Sequence, residues 1–341
     1  MSGRTLLRWL LVAGIVTGPS GCDNVDWGGF EFSLRKSAPD SVASSVDSVP
    51  VPDSTPVALE LAPLLYAGFR QGDTALVYPV GELAEEGLRP LPGDSAGEEL
   101  ARHILRTRLR PGEELTLFHE GTRVGTLVVR GEGEISRRFC SPRARASGPI
   151  ELVPSADDIE RFLALEESLG RQHPMRPFRQ LQSEYEQRVA SLDLASGAIA
   201  STGARWPPSV LDIRQDLQVF RLPDDESASV IATFLFRDRL RVEPPGENAY
   251  SLLVLGEPRG GSFDRTFTWY RPADEAGKAA PRYFSRMDWD LDGRQEILLE
   301  VLGEEDRWFA GLQRGPEAWS VTFQDSCGVP TIPAAPPPSG P

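Results

Sequence analysis

From Val57 onward the chain reads as short apolar runs, β-branched or aromatic, separated by Gly, Pro and Asp. Leu76, Val77 and Tyr78 predict a strand. Leu115–Phe118 and Val124–Val129 predict two more, joined at Glu120-Gly121-Thr122, a hairpin signal. Between them Asp94 and Ser95 offer caps to an Ala/Leu/Ile pattern that predicts a helix through Leu105. Residues 57–153 are therefore expected to form a small α+β domain, mostly strands.

The pattern then changes. Ser155 and Asp158 make a capping-box-like start, and Ile159, Phe162, Leu163 and Leu169 fall on one helical face. After the Pro174–Pro177 break, Phe178, Leu181, Tyr185, Val189 and Leu192 recur at spacings of three and four, the signature of an amphipathic helix. Residues 154–200 are thus predicted as a helical segment, its stripes packing on neighbouring sheets or forming a partner-binding groove. From Val210 the strand pattern returns at Leu217–Arg221, Val230–Phe236, Ser251–Leu255, Phe267–Tyr270, Arg282–Ser285, Ile297–Val301, Trp308–Leu312 and Trp319–Phe323. Residues 201–329 are expected to be an antiparallel β domain: a sandwich, a barrel or propeller-like blades. The fold class is α+β, β-rich.

The two ends carry no such pattern. Residues 37–56 are rich in Ser, Pro, Asp and Val, a composition that cannot bury enough apolar surface to offset chain entropy. Residues 22–56 are expected to be a disordered tether, and 330–341, half proline, an extended tail.

Ahead of the tether, Arg4 and Arg8 precede the apolar run Trp9–Val16, and Pro19, Ser20 and Gly21 lead up to Cys22. This is the layout of a secretory signal over residues 1–21, too short to span a membrane. It resembles a bacterial lipoprotein signal. The resemblance implies that Cys22 is lipidated and becomes the new N-terminus, which places the protein in the cell envelope, anchored to a membrane through lipid. Pro19 departs from the aliphatic residue usual at that position. With Cys22 assigned to lipid, Cys140 and Cys327 remain, and in an oxidising compartment they are expected to form one disulfide; the alternative is two buried thiols.

Charge narrows the partners. The formal net charge is −14, and −16 once the two signal arginines are removed. An acidic surface repels nucleic acid and anionic head groups, and it favours calcium or basic partners. No protein or glycan partner is identified.

The sharpest motif is Asp288-Trp289-Asp290-Leu291-Asp292-Gly293-Arg294-Gln295-Glu296. Calcium takes six to eight oxygen ligands in a flexible loop. Asp288, Asp290 and Asp292 can supply side-chain oxygens, Gly293 the sharp turn, Arg294 a main-chain carbonyl and Glu296 a closing carboxylate. An EF-hand would need a glutamate where Leu299 stands and a helix where Ile297–Val301 reads as strand. Residues 282–312 instead resemble the calcium loop of FG-GAP and VCBS-type repeats, which implies a loop-then-strand element of a propeller blade holding a structural Ca2+. Glu296 stands where those repeats usually have Asp. The alternative is an acidic turn whose aspartates only cap backbone amides.

Gly93-Asp94-Ser95-Ala96-Gly97 matches G-x-S-x-G and resembles the nucleophile elbow of lipases and esterases, which needs a buried strand before it and a histidine downstream. Leu88–Pro92 is no buried strand, and a capped helix start accounts for the motif. His103, His119 and His173 are scattered, without metal-ligand spacing. The expectation is a non-enzymatic binding or scaffolding module with a structural calcium loop. The alternative is an envelope hydrolase using Ser95.

Overall fold

The structure, a computed structural model, describes residues 61–328 apart from 86 and 224. The signal, Cys22, the tether and the C-terminal tail lie outside the described residues.

The first strands are β1 (Leu64–Gln71), β2 (Thr74–Ala84) and β3 (Gly87–Pro90), followed by helix α1 (Asp94–Thr107). Then come β4 (Glu114–His119), β5 (Thr122–Val128), β6 (Arg130–Ser136), β7 (Arg143–Leu152) and β8 (Arg161–Glu166). Their sheet runs β3-β2-β1-β8-β4-β5-β7-β6, and β2 also pairs with β7. That extra pairing closes six antiparallel strands into a barrel and removes its free edges. Strand alternation sorts the side chains. Leu64, Tyr66, Val77, Leu117, Phe162 and Ala164 fill the barrel with Leu100 and Ile104 of α1, whereas Leu65, Ala67, Phe118, Leu163 and Leu165 face outward.

Two helices follow, the single turn α2 (Glu167–Gly170) and the longer α3 (Tyr185–Thr202). The rest is strand: β9 (Arg214–Phe220), β10 (Ser229–Phe236), β11 (Tyr250–Arg259), β12 (Ser262–Pro272), β13 (Ala280–Met287), β14 (Glu296–Leu302), β15 (Arg307–Arg314) and β16 (Trp319–Gln324). They form two four-stranded antiparallel sheets, β12-β11-β10-β9 and β13-β14-β15-β16. The second sheet is the middle layer. Its β14 is buried along its whole length, with Leu298 toward the barrel and Ile297, Leu299 and Val301 toward the first sheet. A strand covered on both faces reads as a nearly continuous apolar run, and Ile297–Val301 is broken only by Glu300, which is buried and paired with Arg282 and Arg307. All eight strands expected after residue 210 are present.

The predicted helical segment over 154–200 is not. Phe162 and Leu163 belong to β8, in the barrel wall, where Phe162 points in and Leu163 out. A short apolar run fits either period, and here pairing with β1 and β4 decided it. Phe178 and Leu181 precede α3, and Tyr185 and Val189 remain exposed on it. The face of α3 that packs on the sheet is Leu194, Ala195, Ala198 and Ile199. The alanines permit close approach: a Cβ on Gly256 of β11 would stand 2.3 Å from a Leu194 methyl.

Two staples tie the barrel to the end of the last sheet. Cys140 and Cys327 form a disulfide with Cα atoms 5.8 Å apart. Beside it Arg143 Nη2 meets Asp325 Oδ2 at 2.5 Å, both side chains essentially without solvent exposure.

Candidate metal centre

The acidic loop connects β13 to β14, so its ends are held by two paired strands. Trp289 is buried against the barrel-facing core and pins the loop from within. Leu291 and Gly293 take positive φ of 63° and 89°, folding the chain back between the aspartates. The loop caps itself as an acidic turn would. Asp288 Oδ2 accepts from the Gly293 amide at 3.1 Å, Asp290 Oδ1 from Asp292 at 3.2 Å, and Asp292 Oδ1 from Arg294 at 2.7 Å.

Capping does not satisfy the whole cluster. Asp288, Asp290 and Glu296 each bring a carboxylate oxygen within 4.8 Å of the others, forming an acidic cluster that can hold a metal ion. Glu296 is only 2% exposed; its Oε2 accepts from the Trp289 amide at 3.3 Å, but Oε1 is buried without a partner. Asp288 Oδ1 is in the same position. Buried carboxylate oxygens left unpaired are costly, and among the described residues no Lys or Arg forms an ion pair with any of these carboxylates. Burial, with the charges of Asp290, Asp292 and Asp288 adding to it, pushes the Glu296 carboxyl up to about 9, against the opposing Trp289 hydrogen bond. Burial raises Asp288 and Asp290 as well.

Of the five residues expected to ligate, three therefore converge. Asp292 is exposed and engaged with the Arg294 amide, and Arg294 is exposed on the following turn. Sequence reading missed the neighbour on the other side of the loop. Gln295 Oε1 accepts from Arg286 Nη1, and Arg286 Nε donates to Glu120 Oε2 at 3.1 Å. Glu120 sits at φ 51° in the two-residue β4–β5 turn with Gly121 at 69°, a conformation that favours Asn-Gly. A glutamate in that position was the signal available.

Ser95 is exposed in the first turn of α1, and the positive φ of 53° belongs to Asp94 before it. The ring of His119 packs on Phe178 and that of His173 on Phe118. Burial pushes both histidines below their usual range, with Glu120 opposing at His119. In the window below about 6.5 the unfolded chain binds protons that the native imidazoles refuse, so stability falls as pH drops through it. Urea midpoints between pH 7.5 and 5 should fall more steeply for the native sequence than for a His119→Gln/His173→Gln variant. Equal slopes would contradict this.

Compared with protein-family models, with curated proteins and with solved structures, the chain finds no match.

Proposed function

We propose that this protein is an exported, lipid-anchored envelope protein, a non-enzymatic binding or scaffolding module whose C-terminal sheets are locked by a structural calcium ion. The observation that carries the cation reading is the pair of buried, unpartnered oxygens, Glu296 Oε1 and Asp288 Oδ1, in a cluster with no ion-pairing cation among the described residues. Calcium suits it because hard, flexible oxygen coordination accommodates three carboxylates with main-chain oxygens or waters. Export is supported by the Cys140–Cys327 disulfide, since such bonds persist in oxidising compartments. Anchoring rests on the residues that lead up to Cys22. Three layers of sheet with the loop at one edge of the middle layer make a rigid platform.

Calcium at a hundredfold excess over its dissociation constant should stabilise the native state by about 2.7 kcal/mol. Melting temperature is expected to rise with calcium and less with magnesium, and affinity should rise with pH because Glu296 must lose its proton to ligate. Glu296→Gln should abolish the shift while remaining as stable as the native sequence in chelator, because the amide resembles the protonated carboxyl that the empty site holds at neutral pH. A calcium titration with no heat and no thermal shift at millimolar ion would reduce the loop to a capped turn.

A further inference from the structure

A cavity of about 380 Å3 opens where the β4–β5 hairpin and β8 of the barrel meet the chain before α3, β9 and β13. One of its carboxylates is fully engaged: the Tyr283 hydroxyl donates to both oxygens of Glu120 at 2.7 and 2.9 Å, and Arg286 donates as described. Arg161 differs from its neighbours. Arg282 and Arg286 are paired with Glu300 and Glu120. Arg161 donates Nη1 to the Tyr283 carbonyl at 3.0 Å and lies over the Phe284 ring at 5.9 Å, with no carboxylate at ion-pair distance among the described residues. Burial, and the nearby charge of Arg282, push its guanidinium below the usual range against the attraction of Asp216, Glu300 and Glu160, yet arginine stays charged in proteins. A largely buried cation with no carboxylate in direct contact is stabilised by an anion that reaches its guanidinium.

Other groups in the cavity narrow that anion. His119 Nδ1 is buried without a partner, and Phe178 and Ile159 supply apolar surface. At the mouth, Arg179 and Arg221 are exposed and unpaired among the described residues, and so are Asp158 and Glu160. A single guanidinium free of any carboxylate at ion-pair distance, in a cavity with an apolar wall, matches a ligand with one carboxylate. A planar guanidinium pairs best with a carboxylate, in two parallel hydrogen bonds.

We propose that this cavity binds a small organic monocarboxylate, with its carboxylate on Arg161 and its apolar body against Phe178 and Ile159. Arg161 and its apolar wall share no residue with the acidic cluster, and Arg286 alone links the cavity to Gln295 of the loop.

Benzoate is a suitable probe, with benzamide as its neutral analogue and benzamidine as its cationic one. Saturation-transfer NMR and thermal shift on the purified protein should show benzoate binding and stabilisation, and neither of the others. Arg161→Gln should weaken benzoate at least tenfold, and Arg161→Lys should keep part of the affinity. Should Arg161→Gln fail to fold, Arg179→Gln/Arg221→Gln, at exposed positions, tests the same site and should weaken benzoate several-fold. Equal behaviour of benzoate and benzamide, or unchanged benzoate affinity in whichever of these variants folds, would overturn the proposal.

Discussion

Removing the Cys140–Cys327 bridge, by reduction or as Cys140→Ala/Cys327→Ala, is expected to lower stability by about 5 kcal/mol. The two cysteines stand 187 positions apart in the chain. In the chain-entropy account, closing so long a loop takes more freedom from the unfolded ensemble than a short bridge does. Melting temperature should fall by roughly 9 °C for a folded part of this size. The native contacts at the bridge stay available: the Cys140 amide donates to the Arg307 carbonyl at 2.9 Å, and Phe139 forms a parallel bridge with Arg307. The variant should therefore fold to the same structure and lose stability through its unfolded state. Denaturant unfolding with and without reductant measures this directly, and a difference below about 1 kcal/mol would contradict it.

Asp325→Ala is expected to cost about 3–5 kcal/mol, because it strands a buried guanidinium. Arg143 has no exposed side-chain surface. Besides Asp325 it donates to the Pro79 and Val80 carbonyls of β2, and it lies over the rings of Phe139 and Phe309 at 5.1 and 5.4 Å. Asp325 Oδ2 also accepts from the Phe309 amide at 2.9 Å. The double variant Arg143→Met/Asp325→Leu removes both charges and should recover more than half of the loss, since an apolar pair of similar volume often matches a buried ion pair. If the costs of Arg143→Met and Asp325→Leu, each measured alone, simply add in the double variant, the pair is not coupled. Asp325 lies two residues before Cys327, so its cost should also change when the bridge is absent. Urea midpoints of the four combinations would measure that coupling.

These two staples show where the sequence was legible and where it was not. An even pair of cysteines in a chain with an export-like leader was enough to expect the disulfide. Nothing in the local pattern could single out Arg143 and Asp325, which are 182 positions apart and sit among many other charged residues. Only the docking of the end of β16 on the barrel brings them together and dries them.

What the chain determined by itself is the local alternation. Eight strands after residue 210, the β4–β5 hairpin and α1 follow from apolar runs and turn residues that act over a few positions, although Gly93 and not Asp94 or Ser95 takes the N-cap of α1 and no side chain caps it. The acidic loop was readable for the same reason, its donors lying within nine consecutive residues. The tertiary structure decided what needed a partner from far away. Phe162 and Leu163 became strand because β1 and β4 offered a ladder on each side and two cores to fill. Closure of the barrel depended on β2 pairing with β7, a contact across about seventy positions that no local period encodes. Burial then selected among the acidic side chains: it drew Glu296 to the first position of a fully covered strand and left Asp292 in solvent. A carboxylate's protonation and its need for a cation follow from that difference in exposure, which belongs to the packed layers and not to the order of residues.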